Sequence, residues 1–117
     1  MENNQQTAEQ QQLSSLEKMI IKEQVTEQIR TVFDPEIPVN IYELGLVYNI
    51  EVNDRGLVDV TMTLTSPACP AAQSIPVEVK QKSETIKGVT EVNVNIVWEP
   101  RWETSMMSEE ARLTLGM

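Results

Sequence analysis

A single small α/β (α+β) domain, ordered α-β-β-α-β-α around a three-stranded mixed sheet with helices on one face, is predicted by three observations. Apolar residues recur at helical spacing from Leu16 to Phe33, and again at Ile75, Val79 and Ile86. Three segments alternate between apolar and polar side chains, so each has one face to bury and one to leave wet. The second and third of these segments are separated by a helical stretch, long enough for a right-handed crossover and a parallel pairing.

The elements follow in order. Residues 1–13 are rich in glutamine and read as a disordered tail, leaving residues 14–117 as the domain. Ser14 and Glu17 have the spacing of a capping box, which opens a helix carrying Leu16, Met19, Ile20, Val25, Ile29, Val32 and Phe33. Asp34-Pro35 stops it, because the residue before proline is pushed out of the α region. A loop held by Pro35 and Pro38 runs to Gly45. In the first strand Leu46, Tyr48, Ile50 and Val52 alternate with Asn49, Glu51 and Asn53. In the second Val58, Val60, Met62 and Leu64 alternate with Asp59, Thr61, Thr63 and Thr65. Asn53-Asp54-Arg55-Gly56 makes the hairpin turn between them. The third strand sets Val92, Val94, Ile96 and Trp98 against Asn93, Asn95 and Val97.

The second helix is expected over Pro70 to Lys87, with Pro70 at the first helical position and Cys69 at or beside the N-cap. Its core stripe is Ala72, Ile75, Val79 and Ile86. Pro76 demands a kink or a fresh helix start near it, and Gly88 closes the helix. A short helix beginning at Ser108 docks back through Ala111 and Leu113 to Leu115.

Composition narrows the function classes. The chain has 117 residues, 18 acidic against 9 basic side chains and a net charge of −9, which argues against a nucleic-acid partner. No apolar run approaches the roughly 18 residues of a membrane span, and no secretory signal is visible, so no membrane partner is expected and a cytoplasmic location is the simplest reading. A single cysteine makes no internal disulfide.

That cysteine, Cys69, lies in Thr65-Ser66-Pro67-Ala68-Cys69-Pro70 at an expected helix start, where unpaired N–H groups and the macrodipole favour a thiolate. With no histidine in the chain the sulfur lacks the usual base. A lone cysteine also fits a small buried apolar residue, and both readings stand. Asp34 and Glu36, in the proline-stiffened loop, have the chemistry of metal ligands or of an acid–base pair, but turn capping explains them equally well. Thr61, Thr63 and Thr65 form a hydroxyl stripe that β-propensity alone accounts for. Trp98, Pro100 and Trp102 read as core and lid packing rather than a ligand cage. There is no glycine-rich phosphate loop, no paired-cysteine motif and no nucleophile–histidine arrangement, so no enzyme is expected.

Taken together, Asp34-Pro35-Glu36-Ile37-Pro38-Val39-Asn40-Ile41, Leu44-Gly45-Leu46-Val47-Tyr48, Met62-Thr63-Leu64-Thr65 with Cys69-Pro70, Gly88-Val89, Val97-Trp98 and Met107-Ser108-Glu109 resemble the MIP18 family, also labelled domain of unknown function 59, with its SufT-type proteins. The resemblance runs from about Leu16 to the C-terminus. It implies a fold like that of the iron–sulfur-cluster-assembly domain and an accessory role in assembling clusters or transferring them to client proteins. It further implies a site gathering Cys69, Asp34, Glu36, Thr65 and Ser66, with Cys69, Asp34 and Glu36 as transient metal ligands. The implied partners are iron–sulfur assembly proteins and client apoproteins, and a homo-oligomer stays open. One cysteine cannot hold a cluster alone by thiolates, so no permanently bound cofactor is expected, only transient iron or a transient cluster. The alternatives are a sulfur carrier, a metal-centre maturation subunit of a multicomponent oxygenase, and a pure protein-interaction module. Glu99-Pro100-Arg101 between the tryptophans departs from the family's usual two prolines.

Overall fold

Ser14 accepts a hydrogen bond from the Glu17 N–H at 3.1 Å, and the Glu17 carboxylate accepts from the Ser14 N–H at 2.8 Å. This reciprocal box opens helix α1 (Ser15–Ile29) in a computed structural model that describes residues 12–34, 37–65 and 73–117. Replacing Ser14 with Ala is expected to cost about 1 kcal/mol, read as a lower midpoint in urea unfolding. Leu13 already belongs to the folded part: it packs against the core and its N–H reaches the Asp54 carbonyl at 2.6 Å.

Helix α1 ends four residues before the expected Phe33. Arg30 is the C-cap, and Thr31 and Val32 close a turn on Gln28 and Ile29. Phe33 then forms an isolated antiparallel bridge with Asn40, which pulls it out of the helix and leaves it 52% exposed. Of the expected apolar stripe, Val25, Ile29 and Val32 are buried, while Leu16, Met19 and Ile20 face outward.

The loop before the first strand contains a helix the spacing argument did not find, α2 (Ile41–Leu44). Asn40 caps it through a hydrogen bond from the Glu43 N–H at 2.9 Å. Gly45 ends it in the left-handed region, with φ of 85°. Strand β1 (Val47–Val52) pairs antiparallel with β2 (Leu57–Met62), with a bulge between Val47 and Asn49. The Asn53 side chain accepts from the Arg55 and Leu57 N–H groups, which holds the expected hairpin turn.

Helix α3 spans Ser74–Glu84. Its N-cap is Gln73, and Pro76 sits in its first turn, where a missing N–H costs nothing, so this is the fresh helix start expected near Pro76. Cys69, Pro70 and Ala72, the rest of the expected helix start, lie outside the described residues. Strand β3 (Glu91–Ile96) pairs parallel with β2 in the register Val58↔Val92, Val60↔Val94, Met62↔Ile96, completing a sheet of order β1-β2-β3. It stops before Trp98, which is 45% exposed rather than in the core. After a 3₁₀ turn at Thr104–Met106, helix α4 (Glu109–Thr114) is capped by Ser108. Ala111 docks as expected and Leu115 is partly buried, but Leu113 is 72% exposed.

The order α-β-β-α-β-α is therefore the observed one, with α2 as a short addition. Helices α1 and α3 pack together and cover one face of the sheet, burying Ile50, Val58, Val60, Met62, Val79 and Val92. Lys82 ties the two helices where α1 ends, donating to the Thr31 hydroxyl at 2.7 Å and to its carbonyl at 3.2 Å. The other face carries Asn49, Glu51, Asp59, Thr61, Asn93 and Asn95. No helix of the described residues is long and apolar enough to cross a membrane.

Candidate functional site

Beyond Met62 the chain leaves β2 through Thr63, Leu64 and Thr65, and this exit is where a cleft forms. Thr63 stays in register long enough to donate its N–H to the Leu46 carbonyl at 2.8 Å. Its side chain follows Thr61 on the polar face, where a solvated hydroxyl is expected. It is instead 1% exposed, because the chain after β3 folds over that end of the sheet. Its hydroxyl has no hydrogen-bond partner among the described residues. A buried, unpartnered hydroxyl costs free energy, and this one belongs to a residue that lines the cleft.

The opposite wall comes from Trp98, Glu99, Arg101 and Trp102, and the space between the walls is about 670 Å³. Two hydrogen bonds fix this wall. The Trp102 indole N–H donates to the Leu44 carbonyl at 2.8 Å, and the Tyr48 hydroxyl donates to the Pro100 carbonyl at 2.7 Å. Burial pushes the Tyr48 phenol up from its usual value, so it stays a protonated donor at any physiological pH. The Glu99–Pro100 bond is cis. Arg101 is exposed at the cleft and pairs with no carboxylate among the described residues.

Of the five residues expected to form the site, two are described. Thr65 is half-buried and lines the cleft. Asp34 is buried at 8% exposure, just beyond the turn that ends α1. Its carbonyl accepts from the Ile37 N–H at 3.3 Å, and the Ile37 carbonyl in turn accepts from the Val39 N–H at 2.7 Å. Asp34 is not part of the cleft lining. Glu36, Ser66 and Cys69 lie outside the described residues. Among the described residues no three histidine, cysteine or carboxylate side chains gather as a metal-binding group.

Spacing arguments passed over Thr63, Glu99 and Arg101 as site residues. Thr63 carried no signal that separates it from Thr61, since both alternate correctly on a polar face. The tryptophans were visible but read as packing, and they serve as cleft walls because the segment bearing them crosses the sheet end.

Comparison with known proteins agrees with this architecture. The family model for "iron-sulfur cluster assembly protein" matches residues 22–95. A relative from Porphyromonas gingivalis named Fe-S protein maturation auxiliary factor is 54% identical over 95 residues, covering 81% of this chain and 90% of its own. The Fe-S protein maturation auxiliary factor SufT of Staphylococcus aureus is 44% identical, covering 74% of this chain and 98% of its own. The crystal structure of a domain of unknown function DUF59 from Bacillus anthracis superposes with a TM-score of 0.81 at 34% identity, covering 89% of this chain and 99% of that one. With the β-β-α-β core, the cleft at the exit of β2 and these relatives in agreement, the chain belongs to the iron–sulfur cluster assembly protein family, the DUF59 group that includes SufT.

Proposed function

We propose that this chain is a non-catalytic accessory factor that receives iron or an iron–sulfur cluster and passes it to client apoproteins, with the Cys69 thiolate as its transient ligand. Membership of the family and the names of the relatives support the accessory role. The observation that carries the finer reading is the cleft at Thr65, four residues before Cys69. Its buried Thr63 hydroxyl lacks a partner among the described residues, and the half-buried Thr65 supplies a hydroxyl of the kind that donates to sulfur. Asp34 and Glu36 are oxygen donors, and a hard carboxylate beside a soft thiolate gives weak, exchangeable iron binding rather than storage. Such a factor works with the assembly proteins that load it, in the cytoplasm.

The test is anaerobic reconstitution of wild type, Cys69→Ala and Thr65→Ala with iron and sulfide, read by visible absorbance and bound iron per chain. Cys69→Ala is expected to lose nearly all bound cluster and Thr65→Ala to lose part of it. Equal yields from wild type and Cys69→Ala would remove the ligand role.

A further inference from the structure

Among the described residues no strand pairs with the outer edge of β3. The Val97 N–H bonds to the Met62 carbonyl at 2.8 Å, so in this parallel register the odd-numbered residues of β3 turn their backbone groups toward β2. Val92, Val94 and Ile96 therefore turn theirs outward. The Lys80 ammonium takes the Val92 carbonyl at 2.9 Å, and among the described residues nothing bonds the outward groups of Val94 or Ile96. From Val92 to Trp98 the edge carries no charge, in a chain of net charge −9. An uncharged, regular edge with β-branched residues at alternate positions is a template for pairing with another strand.

We propose that this edge pairs antiparallel with the same edge of a second copy of this chain, about a two-fold axis at Val94. The sequence Val92-Asn93-Val94-Asn95-Ile96 reads nearly the same in both directions, as an isologous contact requires. Val94 then exchanges both backbone bonds with its counterpart, and Val92 pairs with Ile96 of the second copy. On the open face Asn93 lies across from Asn95.

Neighbouring registers are worse. An axis at Asn95 sets Glu91 against Glu99 of the second copy, a like-charge pair. An axis at Asn93 pairs Ile96 with Thr90, whose N–H is already given to the Gly56 carbonyl. On the helical face, Lys80 places one side of α3 over this edge, and Val77 lies one turn N-terminal on that same side. A crossover helix runs antiparallel to its strands, so Val77 is displaced from Lys80 toward Val94 and the axis. Val77 is 53% exposed, and pairing brings the Val77 side chains of the two copies together. Lys80 must release the Val92 carbonyl, and Glu84 at 3.7 Å is already in place to hold it. The product is a continuous six-stranded sheet, β1-β2-β3-β3-β2-β1, with α1 and α3 of both copies on one side.

Analytical ultracentrifugation of the full chain over a dilution series tests this. Wild type is expected to approach twice the 13.3 kDa of one chain at high concentration. Asn93→Asp with Asn95→Asp places like charges opposite each other twice and is expected to weaken association about tenfold or more. Asn93→Lys with Asn95→Asp removes the same amides but pairs opposite charges, and is expected to associate as well as wild type or better. All four substituted positions of the pair lie on the sheet's open face, and circular dichroism confirms that each variant is folded. A wild type of single-chain mass at every concentration would overturn the proposal, as would equal behaviour of the two double variants.

Discussion

Gly45→Ala is expected to cost about 3 kcal/mol or more and to lower the melting temperature by about 15 °C. Two causes act together at this position. Gly45 has φ of 85°, a conformation in which an L side chain strains its own backbone by about 1–2 kcal/mol. A Cβ built there also collides with the backbone carbonyl of Met106, which is held in the 3₁₀ turn and cannot rotate aside like a side chain. The turn must move, and it is tied to α2 through the Ser108 N–H, which donates to the Glu43 carbonyl at 2.9 Å. Gly116→Ala isolates the first cause. Gly116 has φ of 76°, yet its Cβ would meet nothing within 4 Å. Thermal unfolding of both variants followed by circular dichroism should show a loss at Gly45 at least twice that at Gly116. Equal losses would mean that the contact with Met106 contributes nothing.

Trp102→Ala is expected to cost about 2–3 kcal/mol and to diminish cluster loading, whereas Trp102→Phe keeps most of both. The indole packs against the core from the cleft wall and donates to the Leu44 carbonyl. Truncation removes a large apolar contact together with that hydrogen bond, and a half-buried tryptophan loses somewhat less than the 3–5 kcal/mol typical of a fully buried one. Phenylalanine keeps the apolar body and forfeits only the hydrogen bond, about 1 kcal/mol. Urea denaturation measures the stability term, and bound iron per chain after reconstitution measures the other. A loading defect in Trp102→Ala at temperatures where the variant remains folded would assign the cleft a part in holding the cargo. Full loading there would separate the cleft from the function.

Helix α2 shows what close reading of residues recovers and what it passes over. Asn40 three residues before Glu43, with Gly45 just beyond Leu44, has the cap spacing of a one-turn helix, yet two prolines nearby suggested only a loop. The end of α1 is different. Val32 and Phe33 continue the helical periodicity, and Phe33 departs from it because Asn40, seven residues on, offers a bridge. Nothing local announces that partner. At α3 the proline at 76 marks the start that the residues announce, since the described helix places Pro76 in its first turn.

Strand alternation, the hairpin turn and the capping box at Ser14 were legible in the chain, because each depends on contacts between near neighbours or on a period of two residues, and the length of the crossover allowed the parallel pairing. The burial of Thr63, the exposure of Trp98 and the cleft between them were not. They depend on where the segment after β3 lands, which Leu44 and Tyr48 decide by receiving Trp102 and reaching Pro100 across more than fifty residues of sequence. Alternation tells which face a side chain points to. Only the tertiary structure decides whether another part of the chain covers that face.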